Sequence, residues 1–183
     1  GLIMAAWLAV TGRFGRNALS FRAFVSSAVV GVLMLGTANA LVVWAIHRGA
    51  PTGLAAVIVA TTPFWLVVLD RFVEGTSRIT AQVVAGLGIG LIGIAVLTGV
   101  GGEAPKGIDG PALIALVGAT LAWSVGSILS RSGPRPASPL VATAVQMVMG
   151  GAILFVGSLL LESHAGFRLD TITLRSWIGF VYL

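Results

Sequence analysis

Polar side chains are few in this chain. Among those set inside long apolar runs, Asn39, Thr62, Ser127 and Gln146, with Trp44, Trp65 and Trp123 close to them, are the candidates able to do chemistry. An amide or hydroxyl in apolar surroundings is costly unless it is paired, so such groups face a bundle interior and serve either as glue between helices or as contacts for a ligand. The chemistry they offer is recognition, by hydrogen bonds and aromatic faces, rather than bond breaking. The stretch Thr61-Thr62-Pro63-Phe64-Trp65 adds a helix breaker in the middle of such a run. Pro63 has no backbone N–H and clashes with the preceding turn, which costs about 3 kcal/mol in a helix interior. In lipid that irregularity survives only where neighbours or hydroxyls satisfy the freed carbonyl, and Thr61 and Thr62 are placed to help. The kink is either purely structural or lies beside a substrate path, as broken helices in transporters do.

Charges follow the breaker. Pro63, Val67, Asp70 and Glu74 share one helical face, with Arg71 beside them. Their place at the end of the run predicts a solvated terminal turn, Asp70 or Glu74 pairing with Arg71 or Arg78, in preference to a gate. His47 and Arg48 follow Trp44 closely, so Trp44 reads as a boundary anchor as well as a site candidate.

The elements that carry these residues follow from composition. Of the 183 residues, 57% are hydrophobic and 9% charged, where soluble domains carry about a quarter. With a mean hydropathy of +1.03, lipid is the expected solvent for most side chains. Five apolar runs reach the roughly 20 residues that span a bilayer: 24–46, 52–69, 79–100, 110–130 and 139–161. Two partial runs, 1–11 and 176–183, flank them. The expectation is an all-α, polytopic transmembrane bundle of five complete and two truncated helices. A β-barrel would instead alternate polar and apolar residues. The first run lacks a basic n-region and reads as the tail of a membrane helix rather than a signal peptide.

Short loops make sequential helices antiparallel. Alternate loops then give seven cations on one side (Arg13, Arg16, Arg22, Arg71, Arg78, Arg131, Arg135) and four on the other (Arg48, Lys106, Arg168, Arg175). The positive-inside rule puts the first group in the cytoplasm. The net charge of +5 is therefore topological. No basic stripe with interleaved aromatics suggests a nucleic-acid partner. There are no cysteines, His47 and His164 are far apart, and neither a metal nor a cofactor is expected.

Glycine patterns are read as packing. Gly88-Ile-Gly-Leu-Ile-Gly93 matches G-x-G-x-x-G, but it lies inside an apolar helix with no preceding strand, so the dinucleotide reading is rejected. Gly86 and Gly90 form GxxxG, and Gly118, Ala122, Gly126 and Ser130 repeat every fourth position; such faces serve the bundle or a homodimer. A short echo between Leu19–Gly31 and Thr173–Leu183, with five helices between the two starts, has the arithmetic of an inverted repeat.

The run from Gly36 to Leu97 resembles the third to fifth helices of EamA-type members of the drug/metabolite transporter superfamily. Carrying the resemblance are Pro51-Thr-Gly-Leu-Ala-Ala56, the mid-helix Thr62-Pro63, Glu74 after that helix, and Gln82 and Gly86 opening a Gly-rich helix. The segment 110–131 with Ala122-Trp123-Ser124 is similar to the sixth helix, and 138–160 to the seventh. The chain departs from the family by placing Gly75-Thr76-Ser77-Arg78 between Glu74 and Ile79-Thr80. The resemblance implies a ten-helix inverted-repeat transporter, with residues 1–100 ending the first EamA repeat (helices 2–5) and 110–183 starting the second (helices 6–8). It also implies a secondary carrier in the inner membrane of a bacterium-like cell that moves a small organic metabolite such as an amino acid or drug, outward, by alternating access. Asn39, Trp44, Thr62, Pro63, Trp65, Trp123, Ser127 and Gln146 are then the candidate substrate contacts. An intramembrane enzyme finds no HExxH, GxSxG or deep carboxylate pair here, and a non-transporting membrane subunit is the other alternative.

Overall fold

The computed structural model describes residues 1–12, 20–73, 80–97, 109–161, 173 and 178–179. Arg13, Arg16, Glu74, Arg78, Lys106, His164, Arg168 and Arg175 lie outside them, as do most of the run 176–183 and of the second half of the echo. The described elements are helical: α1 (Leu2–Val10), α2 (Phe21–Gly31), a π-helical segment (Val32–Thr37), α3 (Ala38–His47), α4 (Thr52–Val59), α5 (Thr62–Val73), α6 (Ala81–Leu97), α7 (Gly110–Ser132) and α8 (Pro139–Leu161).

Capping sets the boundaries. Ser20 accepts from the Ala23 amide, starting α2 three residues before the apolar run does. Thr80 accepts from Val83 at the head of α6. Asp109 precedes Gly110 and Pro111, an acidic N-cap position followed by a proline in the first turn, both favourable at a helix start.

Among the described residues, four helical stretches are long and apolar enough to cross a membrane: Phe21–His47, Thr52–Val73, Gly110–Ser132 and Pro139–Leu160. The first includes α2, the π segment and α3, and the second joins α4 to α5. The described part of α6 has 17 residues, short of a full crossing, so the fifth expected span is represented only in part.

Helix α7 is central. It packs against α2, the π segment, α3, α4 and α5, while α8 covers α1, α2 and the π segment. Small side chains dominate the buried contacts, as expected where lipid gives helices no hydrophobic reason to associate and close approach must serve instead. Ala45, Ala50, Ala55, Ala112, Ala115 and Leu116 form one cluster, and Leu8, Val141 and Ala144 another. A β-carbon on Gly31 would strike the backbone of Gln146, and one on Gly150 would meet the Gly31 carbonyl at 2.8 Å. Gly126 lies equally close to Met34. The α7 stripe of small residues is thus consumed inside the bundle. At Gly86 and Gly90 nothing described comes within 4 Å.

Candidate functional site

The helix break at Pro63 is deeper than a kink. Helix α4 stops at Val59, Ala60 and Thr61 form a turn, and α5 restarts at Thr62. Pro63 therefore sits in a first helical turn, where its missing N–H is one of the unpaired donors every helix start has, and the interior penalty expected from the sequence is avoided. The Val59 carbonyl, which an amide at 63 would have served, receives the Thr62 hydroxyl instead. The Thr61 hydroxyl donates to the Ile58 carbonyl at 2.6 Å. Across the helix interface, Ser124 Oγ lies 3.3 Å from the Thr62 carbonyl and 2.7 Å from the carbonyl of Thr120 on its own helix. Ser124 is fully buried.

A second irregularity faces the same region. The π segment Val32–Thr37 lies in the middle of the Phe21–His47 span, and its end is marked by the Ala38 amide bonding the Leu33 carbonyl five residues back. Such wide turns frequently occur at functional sites. Asn39 Nδ2 donates to the Leu35 carbonyl at 2.9 Å and more weakly to that of Met34 at 3.3 Å. Met34 Sδ in turn lies 4.0 Å from Ser127 Oγ, and Ser127 donates to the Trp123 carbonyl at 2.8 Å. Of the eight sequence-derived candidates, Thr62 meets α7 through Ser124, and Trp123 and Ser127 lie on α7 itself. The expectation of an interior position is corrected for Asn39, which bonds carbonyls of its own helical stretch and is exposed, and for Pro63 and Trp123, which are exposed as well. Trp65 meets Phe64 edge to face at 5.7 Å.

Two candidates stand apart. Trp44 carries Arg48 over its ring, 4.9 Å from the centroid, at the end of the span, which is the anchor position. Gln146 sits on the α8 turn that crosses Gly31, on the opposite side of α2.

Two ion pairs bracket the site. Arg48 pairs with Asp109 at one end of α7, and Arg131 Nη2 lies 2.8 Å from Asp70 Oδ1 at the other. The expectation of a solvated Asp70 is corrected here: its side chain is 2% exposed, because α5 packs on α7 and Arg131 closes over it. From Asp109 to Arg131 is 22 residues of α7, about 33 Å, which matches the hydrocarbon thickness of roughly 30 Å. The pairs therefore mark the two membrane boundaries, and Trp123 and Ser124 fall within about 6 Å of the midplane.

Ser124, the π segment, Asp70 and Arg131 were absent from the expected site. Ser124 enters the sequence reading only as part of the Ala122-Trp123-Ser124 resemblance, and the Gly36-Thr37 pair preceding Asn39 is the available hint of a widened turn. An open groove of about 400 Å³ between the start of α2 and the end of α7, lined by Phe21, Val25, Val29 and Leu129 with Arg22 at its edge, contains none of the eight candidates.

No protein-family model matches the chain, and no solved structure does. It is 30% identical over 160 residues to the uncharacterized inner membrane transporter YedA of Escherichia coli K12, and equally to the same protein of Escherichia coli O157:H7. The alignment covers 87% of this chain and 49% of YedA, so the chain spans about half the length of the curated relatives it matches. With four described helical stretches long and apolar enough to cross a membrane and this similarity, the chain is a multi-pass protein of the inner membrane.

Proposed function

We propose that the chain is part of an EamA-type secondary transporter that exports small organic metabolites, such as amino acids or drugs, by alternating access around a midplane site. The observation that carries this reading is the broken α4–α5 span lying at midplane against α7, its carbonyls held by Thr61, Thr62 and Ser124. Irregular backbone at that depth is tolerated only inside protein or along a water-filled cavity, and transporters place their substrate sites at such breaks. The π segment flanking α7 from the other side supports the same place. Similarity to an inner membrane transporter adds to it. Thr62, Pro63, Trp65, Trp123, Ser127 and Asn39 shape the site, with Trp44 and Gln146 at its margins, and rocking of two inverted repeats exposes it alternately. The Gly86 and Gly90 face, which no described residue covers within 4 Å, is the surface proposed for a second copy of the chain.

The test compares extracellular metabolites of cells producing the complete protein with those of cells producing Trp123→Ala at equal membrane abundance. One compound class accumulates outside only with the native protein if the reading holds. Profiles that match empty-vector cells in both cases sink it.

A further inference from the structure

The two ion pairs at the ends of α7 tie it to the span running from Arg48 through α4 and α5, and they are built differently. Arg48 and Asp109 are 49% and 37% exposed, so when that pair parts, water solvates both charges and little is lost. Arg131 is 51% exposed but its partner Asp70 only 2%, so when Arg131 leaves, a carboxylate is left in a buried setting with one compensating charge removed. The two ends of the interface are therefore unequal: the Arg48–Asp109 end parts readily and the Asp70–Arg131 end resists. Ser124 holds the Thr62 carbonyl about two turns inside Arg131, so the resistant end also contains the shorter lever between a fixed midplane contact and the boundary.

We infer that Asp70 and Arg131 form the latch that shuts water out at the Arg131 end, so that the substrate-free protein admits water to Ser127 from the Arg48–Asp109 end alone. By charge count the latched end is cytoplasmic. This assignment rests on the transporter reading, since it requires an aqueous path to α7.

The experiment uses the complete protein, freed of any cysteine, in sealed vesicles, with Ser127→Cys as the reporter one turn inside Arg131. Arg135→Cys, placed separately, marks which face is which. A membrane-impermeant charged maleimide is applied to each face and labelling rates are read without substrate. In the native background Ser127→Cys labels from the face opposite Arg135→Cys. Asp70→Asn raises labelling from the Arg135 face by about tenfold or more, because the charge that holds Arg131 is gone while the shape is kept. Arg131→Gln does the same, Arg131→Lys restores the native pattern, and Arg48→Gln leaves the Arg135-face rate unchanged. Native-level membrane abundance of Asp70→Asn guards against a folding defect, and Arg131→Lys against a packing one. Unchanged labelling in Asp70→Asn, with normal labelling from the opposite face, overturns the latch alone. A reporter that stays unlabelled from both faces in every variant overturns the latch and the transporter reading together.

Discussion

Ser124 of α7 reaches the Thr62 carbonyl of the broken span at 3.3 Å while holding the Thr120 carbonyl of its own helix at 2.7 Å. A serine hydroxyl has one proton, so the two acceptors share it, and the bond inside the helix is the stronger. The cross-helix contact is weak in energy yet specific in place, because it fixes which turn of α7 faces the break.

Replacing Ser124 with Ala should therefore cost little stability, about 1 kcal/mol or less in a detergent-unfolding titration, in line with hydrogen bonds between membrane helices. Transport should fall by a larger factor than stability predicts, since the break loses its registration against α7. A stability loss above about 2 kcal/mol would mean that the hydroxyl is mainly a packing element.

Pro63→Ala separates two accounts of the break. In a first helical turn proline is well tolerated, so its removal should change stability by about 1 kcal/mol or less. The new amide at 63 competes with the Thr62 hydroxyl for the Val59 carbonyl and favours a continuous helix. Transport should drop while the protein remains folded. A strongly destabilised Pro63→Ala would show that the proline is needed for the fold itself.

How much was visible in advance depended on the range of the interaction concerned. Span lengths were legible because hydropathy over about 20 residues is a local sum, although α2 begins three residues early at its Ser20 cap and α5 runs on four residues to Val73, through Asp70 and Arg71. Pro63 was legible as a breaker, and the help from Thr61 and Thr62 follows from local geometry. The bond from Arg131 to Asp70 was not, because Arg131 is 61 residues away and nothing local points to it. Gly31 and Gly150 were missed for the same reason: each is unremarkable alone, and only the crossing of α2 and α8 makes them a pair. The π segment escaped because hydropathy does not register whether a turn closes over four residues or five.

Glycine substitutions test the packing helix by helix. Gly31→Ala places a methyl against the Gln146 backbone, which has no rotamer to yield, and should cost about 1–3 kcal/mol. Gly118→Ala meets only Leu41 Cδ1 at 3.4 Å, an ordinary contact, and should be near neutral. Gly86→Ala, with nothing within 4 Å among the described residues, should not destabilise the monomer, and a fall in cross-linked dimer for that variant would locate the second copy on α6. Equal costs at Gly31 and Gly118 in a denaturation series would contradict the α2–α8 crossing described here.

The two boundary ion pairs should also differ in equilibrium stability, whatever their role in access. Arg48→Gln leaves Asp109, itself partly exposed, to water, and exposed pairs contribute at most about 1 kcal/mol. Arg131→Gln removes one compensating charge from Asp70, which stays buried, and should cost more, discounted because half of Arg131 already faces solvent; about 2 kcal/mol is expected. Asp70→Asn removes the buried charge together with its partner's attraction and should cost less than Arg131→Gln. The order Arg131→Gln, then Asp70→Asn, then Arg48→Gln is the discriminating result, read from unfolding of the purified variants in one detergent. If Asp70→Asn were the most damaging of the three, the carboxylate would be holding the end of α5 through more than its contact with Arg131.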